Sequence, residues 1–302
     1  MGQRKNAEYQ NAVLLAIAAA VLFACSAPLS KRLLAGIPPV LMAGLLYLGA
    51  GIGSGLILLF GGFHERREPV FAFERKDFRF LIGMVLLDVA APVLLLTGLA
   101  RTTAANASLL CNFEVVATTL IALFWFRERV SSRLWLAILL VTAASCLLTF
   151  ERENGLRFSV GSVYVLLAAA CWGLENNCTR MLADRNPIAI VAIKGLGSGL
   201  CSLVIGLALG QRASDWVTAL LALVVGFFTY GLSIACYIRA QRSLGAAKTS
   251  AFYAAAPFIG AALSFLLLGE RPGAAFYIAL PLMAVGAYVA TIDLPKQALP
   301  AE

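Results

Sequence analysis

The chain has 302 residues, 61% hydrophobic and 13% charged, with a net charge of +8. Soluble domains carry roughly 25% charged residues, and no soluble core hides this much apolar surface, so lipid must face part of it. The positive balance does not indicate nucleic acid as a partner, because the sequence has no soluble basic domain with interleaved aromatics.

In chain order, apolar runs of membrane-spanning length lie near 11–30, 38–60, 79–99, 104–126, 133–150, 160–182, 188–209, 216–238, 247–268 and 274–292. About 20 apolar residues cross a hydrocarbon core of about 30 Å. The expected fold is therefore all-α and integral to the membrane, with ten transmembrane helices. Arg4 and Lys5 precede the first run, which is too long for a cleavable signal and reads as a helix that stays. Charge and turn residues gather in the short connections, as at Arg127, Glu128 and Arg129, or at Asp184, Arg185, Asn186 and Pro187.

Lys and Arg set the orientation. With the N-terminus inside, the inner segments hold 16 and the outer segments 7, leaving Lys194 within a span. The positive-inside rule then places both termini in the cytoplasm. The net charge follows from this bias. The seven cysteines all fall in apolar runs with no Cys-x-x-Cys pair, and act as small hydrophobes. His64 is the only histidine and lies in a loop, which argues against an intramembrane metal site, a Ser-His-Asp triad or an enzyme. No nucleotide-binding loop of the form G-x-x-x-x-G-K-[ST] occurs, and no cofactor is expected.

The chain repeats itself. At an offset of 149, the segment 19–39 aligns with 168–188, with Lys31 on Arg180 and Pro38 on Pro187. At an offset of 142, the segment 104–129 aligns with 246–271, with Ala104 and Ala105 on Ala246 and Ala247, Ser108 on Ser250, and Glu128-Arg129 on Glu270-Arg271. The boundaries are 1–155 for the first repeat and 156–302 for the second. Each holds five spans, and an odd number forces the second copy to enter from the opposite face. Inverted repeats of this kind serve alternating-access transport. The glycine runs Gly51–Gly55 and Gly195–Gly199 share no register with either offset and are assigned to close helix packing.

The paired Glu-Arg endings, the run Ala256-Pro257-Phe258-Ile259-Gly260-Ala261 and the triplet Cys171-Trp172-Gly173 resemble the EamA-like branch of the drug/metabolite transporter superfamily over nearly the whole chain. The resemblance implies a ten-helix inner-membrane transporter, usually an exporter of amino acids, metabolites or drugs. It also implies a central cavity between the first four helices of each half, with the fifth and tenth peripheral. One departure limits transfer between halves: Pro257 faces Val115, which follows Glu114, in the first repeat.

Ionisable groups within a bilayer cost about 2.5–3.5 kcal/mol each on insertion scales and are functional candidates. Asp88 and Glu114 each lie about ten residues into their spans, near mid-depth at 1.5 Å per residue, and are candidates for proton exchange or substrate contact. Fixation by hydrogen bonds to neighbouring helices is the competing structural reading. Glu175 and Lys194 share a depth and are joined by a short loop, so an ion pair is expected, against snorkelling of Lys194 to the interface. Trp172, Asn176 and Thr179 share one face, as do Tyr230, Ser233 and Tyr237, and Ser250, Tyr253 and Pro257. Such faces line a cavity or pack against helices. Asn112 stands two residues before Glu114 and, with Thr118 and Thr119, offers partial solvation. Pro28, Pro92, Pro257 and Pro281 can break helices and free backbone groups for a solute.

The leading reading is a secondary transporter of a small organic solute, with protons as a possible coupling partner. The alternative is a non-transporting membrane scaffold or sensor, which vesicle assays separate. Whether two chains associate as a homodimer is left open.

Overall fold

The computed structural model describes residues 2–60, 73–126, 131–151, 157–182, 185–244, 249 and 252–292. Its helices are α1 (Gly2–Ala24), α2 (Ser26–Leu33), α3 (Pro39–Phe60), α4 (Phe78–Leu99), α5 (Ala104–Leu110), α6 (Phe113–Phe126), α7 (Ser132–Thr149), α8 (Val160–Arg180), α9 (Pro187–Ala208), α10 (Trp216–Gly226), α11 (Ser233–Leu244), α12 (Ala256–Leu268) and α13 (Ala274–Ile292). Seven helical segments are long and apolar enough to cross a membrane: Glu8–Leu33, Pro39–Leu59, Arg75–Leu99, Ala104–Phe124, Ser132–Thr149, Ile188–Ala208 and Trp216–Gln241. Two shorter apolar helices cover Ala256–Leu268 and Ala274–Ala290. α8 is not among the seven; Glu175, Asn176 and Asn177 make its second half polar.

The elements depart from the sequence expectation in specific places. The first helical segment runs beyond 11–30 at both ends and kinks at Cys25. The eighth continues past 238 to Leu244, because a π segment, Phe227–Leu232, joins α10 to α11. The fold is all-α as expected; the one extended pairing, Phe150–Glu151 with Arg157–Phe158, forms two-residue antiparallel strands β1 and β2 in the connection between the two halves.

Packing pairs helices from different halves. α3 lies along α9, α4 along α8, α7 along α13, and α1 along α11. α8 also packs on α6, and α1 on α12. This yields two bundles, α4–α6–α8 and α1–α11–α12, with α3 and α9 beside them and α7 and α13 paired apart. The glycine runs explain the α3–α9 contact. A Cβ on Gly51 would come within 2.7 Å of the Gly195 backbone, and one on Gly195 within 2.6 Å of Gly51. Only glycine at both places lets the helices touch. The outer surface is apolar: Phe124 and Leu266 are 77% and 80% exposed, as lipid-facing side chains are.

The proline expectation is corrected in part. Pro92 and Pro281 lie inside continuous helices. Pro257 stands at the start of α12, just after a turn at 254–255 where Ala255 N donates to Phe252 O and Phe258 N to Ala255 O. The α5–α6 junction breaks at 111–112 without any proline, through the short-range bonds Asn112 N to Leu109 O and Glu114 N to Cys111 O. At the offset of 142 these two breaks coincide to within a residue.

Candidate functional site

The site is built around Lys194 of α9. Its Nζ lies 3.1 Å from Glu175 Oε1 of α8 and 3.1 Å from Asp88 Oδ2 of α4. The expected Glu175–Lys194 pair is thus present in the structure, and Asp88 joins it from the other half of the chain. The hydrogen bond proper goes to Glu175; Asp88 Oδ2 has the charge contact but no hydrogen-bond geometry among the described residues. Asp88 Oδ1 accepts from Tyr47 Oη at 3.0 Å, and Glu175 accepts a short bond from Thr179 Oγ1. Asp88 is fully buried and Glu175 is 2% exposed, while the Lys194 side chain is 18% exposed; buried carboxylates of this kind persist only when paired.

Glu114 begins α6, immediately after the break at 111–112. Its Oε1 accepts from Asn176 Nδ2 of α8 at 2.6 Å, and the same amide reaches Thr118 Oγ1 at 3.4 Å. Glu114 stands within electrostatic reach of Glu175, Lys194 and Asp88. Asn112 does not join this set. It is buried, and its Nδ2 donates to Leu109 O at 3.2 Å, closing the end of α5.

The aromatic candidates form a second, connected group. Trp172 Nε1 donates to Tyr47 Oη at 3.4 Å, which links the rings to the charges. Tyr47 meets Tyr230 at a centroid distance of 5.7 Å, Tyr230 meets Phe23 edge-on at 5.8 Å, Phe23 meets Tyr253 at 5.5 Å, and Tyr253 meets Tyr237 at 5.2 Å. These are ordinary separations for favourable ring pairs. Tyr230 lies in the π segment, a distortion frequent at functional sites. Beside the rings is a cavity of about 30 Å³, walled by Phe23, Ser26, Ser108, Trp172, Tyr230 and Pro257 among others. That is room for on the order of two waters, at 10–15 Å³ each.

Sequence reasoning missed Tyr47, Phe23 and Ser108. The signal for Tyr47 was its position: a phenol in the middle of an otherwise apolar span needs a partner. Phe23 carries no polar atom and nothing local distinguishes it.

The two ends of the molecule are tied differently. At one end, Lys31 Nζ donates to the carbonyls of Leu99 and Thr102, Arg32 donates to Leu267 O at 2.7 Å, and Glu270 accepts from Ala104 N and Ala105 N at 2.8 and 3.0 Å. Glu128, its counterpart in the first repeat, lies outside the described residues, as do Ser250 and His64. At the other end Arg185 binds Asp77 Oδ2 and Glu74 Oε1, the latter at 2.8 Å. Arg185 and Lys76 hold the Glu74 carboxyl down at about 2, so this clamp stays ionised at physiological pH.

Residues 10–150 and 159–292 each match the EamA-like transporter family. An uncharacterized transporter of Methanothermobacter thermautotrophicus is 31% identical over 268 residues, covering 84% of this chain and 78% of that protein. A solved crystal structure of a protein 22% identical to this chain shares its fold, with a TM-score of 0.65 over 94% of this chain and 97% of that one. With apolar helices of spanning length, two stretches that match the family and a relative named as a transporter, the chain belongs to the EamA-like transporter family and is a multi-pass membrane transporter, not an enzyme.

Proposed function

We propose that this chain is a secondary transporter that carries a small organic solute across the inner membrane by alternating access, in the direction of export. The observation that carries the reading is the cavity between the two bundles, bounded by Phe23, Trp172 and Tyr230 and linked to the buried charges through the Trp172–Tyr47–Asp88 hydrogen bonds. Charges held at such cost in a lipid-facing protein mark a pathway.

The ten-helix count follows from adding α8 and the two shorter apolar helices to the seven long segments. Two inverted five-helix repeats, 1–155 and 156–302, account for the packing of helices across halves and for the matched breaks at 111–112 and 254–255. Two pseudo-symmetric bundles have two packings of similar energy, one open to each side. The Lys and Arg bias puts both termini in the cytoplasm. Export rests on the family resemblance.

The test is flux. Liposomes containing the purified protein are loaded with a mixed panel of amines, amino acids and carboxylates, and their contents are followed by mass spectrometry against protein-free liposomes. Selective loss of one chemical class, accelerated by the same class outside, is the expected result. Contents retained as in protein-free liposomes, under gradients of either sign, would make the protein a scaffold or sensor.

A further inference from the structure

Resting on the transporter reading above, we infer that the solute is an amphipathic organic cation, its ammonium head taken by Glu114 and its flat apolar body by the rings of Phe23, Tyr230, Tyr253 and Tyr237. The two kinds of side chain come from opposite bundles. Asp88, Glu114 and Glu175 belong to α4, α6 and α8, which pack together. Phe23 and Tyr237 belong to α1 and α11, with Tyr230 in the π segment before α11 and Tyr253 just before α12. The carboxyls lie on one side of the site and, Trp172 of α8 excepted, these rings on the other. Cys111 and Phe23 line the cavity, Glu114 N donates to Cys111 O at 3.0 Å and Phe23 meets Tyr253 at 5.5 Å, so a single small molecule can touch both sides.

The sign of the head group follows from the pairing. Lys194 is the one cation of the set, and it is shared by Asp88 and Glu175 at 3.1 Å each. Among the described residues Glu114 has an amide and no cation at ion-pair distance. A positive head completes it with a charge-assisted bond, and the facing rings add cation–π attraction. An anion would meet three carboxyls in a low-dielectric site. A zwitterion would bring a carboxylate with no free partner, because Lys194 is already taken twice.

A second, independent feature points to a ligand. Ser108 is 6% exposed, lines the ring-walled cavity, and its Oγ has no hydrogen-bond partner among the described residues. An unpaired buried hydroxyl is costly, and it is available to a polar atom of the solute. At about 30 Å³ the cavity is too small for an aromatic body, so binding requires the two bundles to part.

The experiment measures binding by the full chain in detergent micelles, by calorimetry, with three probes of one ring: phenethylamine, 3-phenylpropionate and phenylalanine. Phenethylamine is expected to bind about tenfold or more tighter than the other two. Glu114→Gln is expected to lose about tenfold or more of that affinity, and Glu114→Asp, which keeps the charge, to retain the preference for the amine. If Glu114→Gln does not fold, the probe ranking on the unaltered chain and on Glu114→Asp decides. Equal or tighter binding of the carboxylate or the zwitterion, unchanged affinity in Glu114→Gln, or no binding of phenethylamine at millimolar concentration overturns the inference. Binding in micelles needs no flux, so the two readings fail separately. Amine binding without liposome flux defeats transport alone. Flux of another class without amine binding defeats the substrate assignment alone.

Discussion

Lys194 holds two carboxylates that come from different halves of the chain, Glu175 by a hydrogen bond and Asp88 by charge contact. Buried ion pairs add little net stability, yet removing one partner leaves an uncompensated charge and costs about 3–5 kcal/mol. Lys194→Met strands two carboxylates and is expected to destabilise by that amount. Asp88→Asn is expected to cost less, because Glu175 still pairs with Lys194. The triple neutral variant of Asp88, Glu175 and Lys194 is expected to recover most of the loss. Unfolding of the variants in one detergent, by circular dichroism, gives the cycle. A Lys194→Met protein as stable as the parent means that the ammonium reaches the interface by snorkelling. Half of this cluster was legible in the sequence, because Glu175 and Lys194 lie at matching depths on either side of one short loop. Asp88 was legible as a costly carboxyl but not as a partner. Its approach is set by α4 packing against both α8 and α9, and no local spacing encodes that.

Helix contacts in this protein are decided by what the glycines leave out. A Cβ on Gly226 would stand 2.0 Å from Leu46 O, and one on Gly49 would stand 2.0 Å from Leu223 O, so α3 and α10 meet backbone to backbone. Alanine improves intrinsic helix propensity by about 1 kcal/mol. Here the obstacle is a carbonyl that cannot move without its helix, and overpacking of this kind costs about 1–3 kcal/mol. Gly226→Ala and Gly49→Ala are therefore expected to lower the thermal midpoint. Gly55→Ala, with nothing within 4 Å, is expected to leave it unchanged or raise it slightly. Equal midpoints for all three variants would mean that the helices separate at little cost. The glycine runs were readable as packing surfaces, but which helices they join was not, since Gly51 and Gly195 meet outside any repeat register. The break before Glu114 was also hidden. Sequence reasoning looked for prolines, and here short-range bonds around Cys111 and Asn112 end α5 without one.

Across the whole molecule, the carboxyl and ring sides of the site were invisible in sequence, because each bundle joins helices from both halves. Lys31 of α2 binds the carbonyls that follow α4, and Glu270, just after α12, binds the first N–H groups of α5. The Glu270 tie joins α12 to α5, which pack against each other, and the Lys31 tie joins α2 to the end of α4. The Arg185 clamp joins residues flanking α4 and α8, which belong to one bundle, so it braces that bundle. On the orientation proposed above, the Lys31–Glu270 end is the outer one. Glu270→Ala removes an anion from two N–H groups at a helix start, a loss of about 1–3 kcal/mol for hydrogen bonds to a charged group. Local opening of α5 is then expected to rise about tenfold or more, read as faster hydrogen exchange of amides 104–110 in lipid nanodiscs. Arg185→Ala is expected to speed exchange around 74–80 and 185–190 while leaving α5 unchanged. If Glu270→Ala leaves α5 as protected as before, packing against α12 alone holds α5 in place.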